Sequence, residues 1–186
     1  MAAKLSLILG GARSGKSSFA EARAAEVKGR VLYVATAQAF DEEMEARIRA
    51  HQASRPANWV TVEAPRQVAA AIGDQVEAAE TVLLDCITLM AMNAYGMGVE
   101  DDLAAQAAAE KTLMDEVEAL LELVDGNQAD WLVVSNEVGL GLVPPYPLGR
   151  AYRDALGRAN QRLAQAADEV IFMVAGLPLW VKGHST

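Results

Sequence analysis

One stretch near the start of the chain decides the fold, and it reads Leu5-Ser6-Leu7-Ile8-Leu9-Gly10-Gly11-Ala12-Arg13-Ser14-Gly15-Lys16-Ser17. An apolar run of strand character leads straight into the pattern G-x-x-x-x-G-K-S, and a segment rich in Ala, Glu and Arg follows it. A buried strand, a glycine-rich loop and a helix in this order form the phosphate-binding loop, or P-loop, of many nucleotide-binding proteins. We therefore predict that this stretch holds the phosphates of a nucleoside triphosphate.

Each residue type in the loop has a physical role in that prediction. Glycines let the backbone curl around an anion with its N–H groups pointing inward, and the helix behind adds the positive end of its dipole. Lys16 would supply a charge to the β- and γ-phosphates and is a predicted catalytic residue, while the Ser17 hydroxyl is suited to ligate Mg²⁺. The alternative is an ordinary glycine-rich turn. The predicted nucleotide-binding residues of the loop are Gly10, Gly11, Ala12, Arg13, Ser14, Gly15, Lys16 and Ser17.

Outward from the loop, short apolar runs alternate with helical stretches along the chain. Most of the runs are continuously apolar, which is typical of strands buried on both faces of a parallel sheet. The alternation predicts an α/β fold of P-loop NTPase type, an open, mostly parallel sheet flanked by helices, in a single domain over residues 1–186. The predicted strands are Leu5–Leu9, Val31–Ala35, Trp59–Val62, Thr81–Leu84, Trp131–Val134, Val170–Val174 and Trp180–Val181. The predicted helices are Ser17–Val27, Asp41–Ala53, Arg66–Ala79, Asp101–Val124 and Asp154–Ala167, with a surface loop over Gly139–Gly149.

Composition narrows the class of protein. The formal net charge of -9 argues against nucleic acid or an anionic membrane as the main partner, because both need a basic surface. A hydrophobic content of 52% is enough for one core, and no run is long enough for a membrane span or a signal peptide. A single cysteine, Cys86, leaves no internal disulfide and fits a reducing cytoplasm. These features predict a cytoplasmic α/β domain.

Acidic and polar residues follow two of the later apolar runs. Asp85 ends the run Val82-Leu83-Leu84, where a carboxylate would face the ligand crevice at the end of a strand neighbouring the P-loop strand. We predict Asp85 as a second Mg²⁺ ligand, with a simple strand-ending turn residue as the alternative. Asn136 and Glu137 follow the next run at the same sheet edge, and the sequence leaves open whether they serve substrate, metal or the turn.

The second candidate site is a histidine with arginine neighbours. Arg47 and His51 are four residues apart and share a face if the segment is helical, and Arg55 follows four residues later, just before Pro56. The spacing alone fits a solvated helix face. The same cluster would also hold phosphate and favour a neutral imidazole, which can attack phosphorus to form a covalent phosphoramidate.

These residues together resemble a known family, the bifunctional adenosylcobinamide kinase / adenosylcobinamide-phosphate guanylyltransferases of cobalamin biosynthesis. The resemblance covers nearly the whole chain, and its most specific parts are the Arg-Ile-x-x-His-x-x-x-Arg-Pro segment and an Asn-Glu-Val-Gly segment. The residues that carry it are Gly10–Ser17, Tyr33–Ala37, Met44, Arg47, Ile48, His51, Arg55, Pro56, Trp59, Thr61, Glu63, Leu84–Thr88, Ser135–Gly139, Arg153, Asp154, Gly157, Asn160 and Gln161.

The resemblance implies two reactions. In the first, the γ-phosphate of ATP or GTP passes to the propanolamine hydroxyl of adenosylcobinamide. In the second, GMP passes from GTP to that new phosphate through a guanylylated histidine, and pyrophosphate leaves. The implied partners are the nucleoside triphosphate with Mg²⁺ and the corrinoid, and the family suggests a homo-oligomer, a trimer with sites between subunits.

Carried onto this sequence, the resemblance makes His51 the nucleophile. It places further nucleotide contacts at Gln52, Ala53, Ser54, Arg55, Glu63, Asp85 and at the segment Ala35, Thr36 and Ala37. Some relatives have two consecutive histidines at this point, whereas this chain has Ala50 before His51. If the chemistry belonged to the first position, the chain would retain nucleotide binding without the guanylyl step.

Two other functions fit the P-loop. A small-molecule P-loop kinase would lack the covalent step, so His51→Ala would leave its catalysis intact. An NTP-binding regulatory protein would hydrolyse slowly and need a protein partner instead of a small acceptor, and the long acidic segment Asp101–Val124 offers a surface for one. The Ala and Leu content of that segment favours a packed amphipathic helix.

Overall fold

The computed structural model describes residues 4–27, 29–38, 42, 55–96, 99 and 102–183. Apart from Glu42, the helix predicted over Asp41–Ala53 lies outside these residues, and so do Arg47 and His51. That helix and its histidine therefore stay predictions.

Seven strands and five helices make up the described part of the chain. The strands are β1 (Leu5–Gly10), β2 (Val31–Ala35), β3 (Val60–Glu63), β4 (Thr81–Asp85), β5 (Asp130–Val134), β6 (Glu169–Val174) and β7 (Leu177–Lys182). The helices are α1 (Lys16–Glu26), α2 (Val68–Val76), α3 (Ile87–Tyr95), α4 (Leu103–Gly126) and α5 (Pro147–Ala166). All seven strands belong to one sheet in the order β3-β2-β4-β5-β1-β6-β7.

The sheet is parallel except at one edge, where β7 returns antiparallel to β6. Side chains alternate between its two faces, as strand geometry requires. Leu7 and its equivalents on neighbouring strands pack with α2 to α5, whereas Ile8 and its equivalents pack with Ala20 and Ala24 of α1. Both faces are covered, which explains why the strands are continuously apolar in sequence. The predicted α/β sheet flanked by helices is confirmed.

Three predicted features need correction. The helix α3 was not predicted, because Ile87–Tyr95 is largely buried and lacks a polar face to give it a helical period. The helix α5 begins at Pro147 and not at Asp154, since proline is well accommodated at the first helical position, where its missing N–H has no partner to lose. The loop predicted over Gly139–Gly149 therefore ends at Tyr146.

The other elements agree with their predicted positions to within a few residues. At the start of α4, the Asp102 side chain accepts hydrogen bonds from the backbone N–H groups of Ala104 and Ala105, which fixes the N-terminus of that helix. None of the helices in the described part of the chain combines the length and apolar character needed to cross a bilayer.

Candidate functional site

The loop between β1 and α1 has the backbone geometry expected of a phosphate-binding loop. Gly10 has φ 153° and Gly15 has φ 94°, conformations that side chains strongly disfavour. A Cβ atom on Gly10 would lie 2.6 Å from the Met173 carbonyl oxygen, so a side chain does not fit there. The loop borders a cavity of about 260 Å³, lined by Arg13, Ser14, Gly15, Lys16, Ser17 and Ser18. Glycine at both ends therefore lets the chain turn sharply at the N-terminus of α1.

Lys16 is the cation of this cradle. Only 7% of its surface is exposed, and its Nζ donates a hydrogen bond to the Gly11 carbonyl oxygen at 2.6 Å. Burial lowers the pKa of Lys16, whereas the nearby Cys86 and Asp85 act in the opposite direction. The ammonium group is thus held over the loop and within electrostatic reach of the carboxylate at the end of β4.

Asp85 lies at the predicted edge of the sheet but not on the predicted strand neighbour. The strand β5 separates β1 from β4, so Asp85 is two strands away from the P-loop strand, roughly 10 Å at the usual strand spacing. The expectation that Asp85 ends the neighbouring strand was wrong, because the order of strands in a sheet is not written in their order along the chain. Its Oδ2 accepts a hydrogen bond from the Tyr33 hydroxyl at 3.0 Å.

Tyr33 joins Asp85 to the side chains of Arg55 and Trp59, of which only Arg55 was predicted as a nucleotide contact. The Arg55 guanidinium carbon lies 3.8 Å from the centroid of the Tyr33 ring, and the Trp59 ring stacks at 6.2 Å with an interplanar angle of 23°. Burial and the charge of Asp85 raise the pKa of Tyr33, and Arg55 opposes them only in part. The phenol therefore stays protonated and donates to Asp85.

Thr36 and Asn93 fix the backbone beside Asp85. The fully buried Thr36 hydroxyl donates to the Cys86 carbonyl oxygen at 2.7 Å and accepts from the Cys86 N–H at 2.8 Å. Asn93 of α3 donates to the Thr36 and Pro65 carbonyl oxygens, both at 2.8 Å. The Thr36 hydroxyl thus makes its hydrogen bonds inside the protein, to the backbone of Cys86.

The residues after β5 tie the sheet edge to the loop. The Glu137 N–H donates to the Gly10 carbonyl oxygen at 3.0 Å, and the Asn136 N–H donates to the Thr88 hydroxyl at 2.7 Å. Ser135 is buried and donates to the Asn160 side chain at 2.7 Å. Ser135 and the backbone at Asn136 therefore serve the fold, while the Glu137 side chain lines a second cavity of about 580 Å³.

A family model described as cobinamide kinase / cobinamide phosphate guanyltransferase matches residues 6–181. The chain belongs to this family. It is 43% identical over 179 residues to the bifunctional adenosylcobalamin biosynthesis protein CobU of Salmonella typhimurium, covering 95% of this chain and 98% of that protein. It is 46% identical over 178 residues to the corresponding protein CobP of Pseudomonas aeruginosa, covering 96% and 97% of the two chains. The Escherichia coli CobU is 41% identical over 179 residues, covering 95% and 98%.

In this member of the cobinamide kinase / guanyltransferase family, the fold brings several predicted site residues together. The P-loop residues, Asp85, Arg55 and the end of β2 at Ala35 lie at the carboxyl edge of the sheet. Glu63 ends β3 at the same edge but on the outermost strand, and it is exposed. The predicted residues His51, Gln52, Ala53 and Ser54 lie outside the described residues.

Sequence reasoning missed the roles of Tyr33, Trp59 and Asn93. Tyr33 and Trp59 stood among the residues that carry the resemblance, but no spacing rule relates them, since they lie on separate elements. Asn93 is a buried amide within an otherwise apolar helix, and that is the signal that could have found it. Within the described residues, no cluster of three or more His, Cys, Asp or Glu side chains is suited to hold a metal ion by itself.

Proposed function

We propose that this chain phosphorylates adenosylcobinamide with ATP or GTP and then transfers GMP from GTP to the new phosphate, giving adenosylcobinamide-GDP. The observation that carries the proposal is the phosphate cradle around the buried Lys16, in a chain that matches the bifunctional relatives over nearly its whole length. The kinase step needs positioning and charge neutralisation more than covalent chemistry, and this cradle offers both.

In the kinase step, the loop N–H groups and the N-terminus of α1 would hold the phosphates. Lys16 would neutralise charge that develops on the β- and γ-phosphoryl oxygens. The Ser17 hydroxyl, at the loop cavity, and the Asp85 carboxylate, held by Tyr33, are hard oxygen donors of the type that Mg²⁺ takes one or two at a time together with phosphate oxygens. These residues fit Mg²⁺, which when bound would neutralise phosphate charge and orient the leaving group.

In the guanylyl step, His51 would attack the α-phosphorus of GTP. The bond from imidazole nitrogen to phosphorus would form as the α–β bridging P–O bond breaks, and pyrophosphate would leave with the electron pair. An oxygen of adenosylcobinamide phosphate would then attack the same phosphorus, and the N–P bond would break to free the imidazole. Arg55 is close in sequence and packs on Tyr33. Its charge would favour the neutral, nucleophilic imidazole.

Further properties follow from the same proposal. The nucleotide contacts would include Gln52, Ala53, Ser54, Arg55, Glu63 and the segment Ala35–Ala37. A homo-oligomer, as a trimer with sites between subunits, would supply surfaces that one copy lacks, and cobalamin biosynthesis would place the protein in the cytoplasm.

The test is an assay of both products with purified protein and Mg²⁺. Label from the γ-phosphate of GTP is expected in adenosylcobinamide phosphate, and label from the α-phosphate in adenosylcobinamide-GDP. His51→Ala should abolish the second product and retain the first, with Ala50→Ser as the matched control that retains both. A single phosphorylated product from the unaltered chain would favour a P-loop small-molecule kinase, and nucleotide hydrolysis without any corrinoid product would favour an NTP-binding regulatory protein.

A further inference from the structure

A cavity of about 580 Å³ lies beside the phosphate loop. It opens between the end of β1 at Leu9, the residues after β5 at Glu137, and the face of α5 that carries Arg153 and Gln161. Leu9 packs with the core on the α5 side of the sheet, whereas Tyr33 and Trp59 pack with the core on the α1 side. The cavity and the aromatic group therefore lie on opposite faces of the sheet.

The cavity is coupled to the loop by a direct contact. The Glu137 backbone N–H donates to the Gly10 carbonyl oxygen at 3.0 Å, so the wall of the cavity and the first residue of the phosphate loop are adjacent. A ligand in the cavity would thus reach the loop from the side away from Tyr33 and Arg55. A phosphoryl acceptor attacks the terminal phosphate in line with the bond that breaks, so it needs a binding surface next to the loop, and this cavity offers one.

Arg153 lines the cavity, and one of its donors has no partner in the described part of the chain. Its Nη1 atom is buried and has no hydrogen-bond partner within the described residues. The other arginine in the wall, Arg158, is already paired with Glu110 through two hydrogen bonds of 2.5 and 2.8 Å. Asn160 is likewise engaged, because it accepts from Ser135 and donates to the Asn136 carbonyl oxygen. A buried donor without a partner costs free energy, so a ligand that drew the Arg153 guanidinium into a hydrogen bond would remove that cost.

The charged side chains around Arg153 restrict the chemical class of ligand that the cavity can bind. Glu137 and Asp154 line the same cavity, so two carboxylates stand against the two arginines. A phosphate would be repelled by these carboxylates, whereas a primary carboxamide offers a carbonyl oxygen to Arg153 and N–H groups to Asp154. The wall therefore suits neutral groups that both accept and donate hydrogen bonds.

We propose that this cavity binds the carboxamide-bearing rim of the corrinoid acceptor, with Arg153 as its main specificity-determining residue. The inference rests on the proposed function for the identity of the acceptor. The periphery of a corrin ring carries primary carboxamides around an apolar face, and the apolar Leu9 among the lining residues fits that combination. The volume is within the range of small-molecule sites and holds part of so large a ligand, with the remainder outside.

The first experiment compares Arg153→Gln with Arg162→Gln. Arg162 is on the same helix, pairs with Glu118, and does not line the cavity, so its variant is the matched control. Loss of a charged hydrogen bond predicts an increase of about tenfold or more in the KM and Kd for adenosylcobinamide. The Kd for GTP should stay within about twofold, and the control should change neither. An unchanged corrinoid Kd in Arg153→Gln, with GTP binding intact, would overturn the inference.

Corrinoid binding is measured directly by equilibrium dialysis of the protein with adenosylcobinamide in the presence of a non-hydrolysable GTP analogue. The corrin absorbance on the two sides of the membrane gives the bound fraction. This measurement separates the role of Arg153 from the proposed function. A protein that binds the corrinoid through Arg153 but forms no product contradicts only the proposed function. Absence of corrinoid binding by the unaltered chain contradicts both.

A second comparison tests the ligand class. A corrinoid in which peripheral carboxamides are hydrolysed to carboxylates should bind at least several-fold more weakly than the intact amide. Asp154→Asn should reduce that preference, because it removes the repulsion between two carboxylates. Equal binding of the two corrinoids by the unaltered chain would overturn the carboxamide assignment.

Discussion

The hydroxyl of Tyr33 connects the two halves of the candidate nucleotide site. It donates to Asp85 on β4, while the ring of the same residue contacts Arg55 and Trp59. Burial raises the pKa of the phenol, so the hydroxyl keeps its proton and donates a hydrogen bond to Asp85 at neutral pH. One side chain therefore contacts both a candidate Mg²⁺ ligand and an arginine that follows the proposed nucleophile by four residues in the sequence.

Removal of that hydroxyl should weaken metal use more than nucleotide binding. In Tyr33→Phe the ring remains under Arg55, but Asp85 loses its donor and becomes free to rotate. We expect the Mg²⁺ concentration for half-maximal kinase activity to rise about three- to tenfold, in line with the loss of one hydrogen bond to a charged group. Tyr146→Phe, at an exposed tyrosine, is the control. An unchanged Mg²⁺ dependence in Tyr33→Phe would show that Tyr33 does not position Asp85.

At the scale of elements, the helix α3 stabilises the edge of the sheet on which the site is built. Asn93 donates from this helix to the carbonyl oxygens of Thr36, after β2, and Pro65, after β3. Thr36 in turn makes two hydrogen bonds to the backbone of Cys86, which follows β4. The Asn93 amide therefore connects the ends of β2, β3 and β4. The geometry of the candidate site therefore depends on a buried residue of α3.

Asn93→Ala should destabilise the protein by about 2–4 kcal/mol, because it leaves two carbonyl oxygens without their donor in a site that is 1% exposed. Chemical denaturation followed by circular dichroism gives the free energy of unfolding. Met92→Ala, one residue earlier and 43% exposed, should cost less than about 1 kcal/mol. Equal losses in the two variants would contradict the structural role of Asn93.

The helix α3 also shows where sequence reasoning stops. Apolar runs such as Leu5–Leu9 predicted their strands because a strand in a parallel sheet is buried on both faces. The same burial removes the period from Ile87–Tyr95, so nothing in its residue order distinguishes it from its surroundings. The P-loop was predicted residue by residue because its chemistry is local. The pairing of Tyr33 with Asp85 and the cavity beside Arg153 depend on strand order and helix packing, which local patterns do not specify.

At the scale of the whole molecule, an ion network around the buried Glu169 connects three elements at the edge of the sheet opposite the candidate site. Glu169 of β6 accepts from Lys4 and Ser6 at the start of the chain and from Arg23 of α1, at 2.8, 3.0 and 2.9 Å. Burial alone would raise the pKa of Glu169, but these three hydrogen bonds outweigh it and hold the pKa at about 2. The network thus links the N-terminal strand, the P-loop helix and the late strand β6.

Because of this network, the free energy of unfolding should depend on pH in the acidic range. The pKa of Glu169 is lower in the folded protein than the ordinary value of 4.5, so its contribution is present above about pH 4.5 and is lost as the pH falls towards 2. Glu169→Gln should therefore be less stable than the unaltered protein at pH 7, by roughly 2–3 kcal/mol, and the difference should shrink below pH 4. Thermal unfolding over this range measures it. A difference that is independent of pH would contradict the assigned network.

The proposed guanylyl transfer depends on a covalent intermediate at His51. Mass spectrometry after incubation with GTP and Mg²⁺, without corrinoid, tests it most directly. We predict a mass increase equal to one GMP, mapped to His51 and absent from His51→Ala, with both proteins binding GTP equally. An unmodified protein under conditions in which GTP binds, or an adduct that survives His51→Ala, would contradict the account.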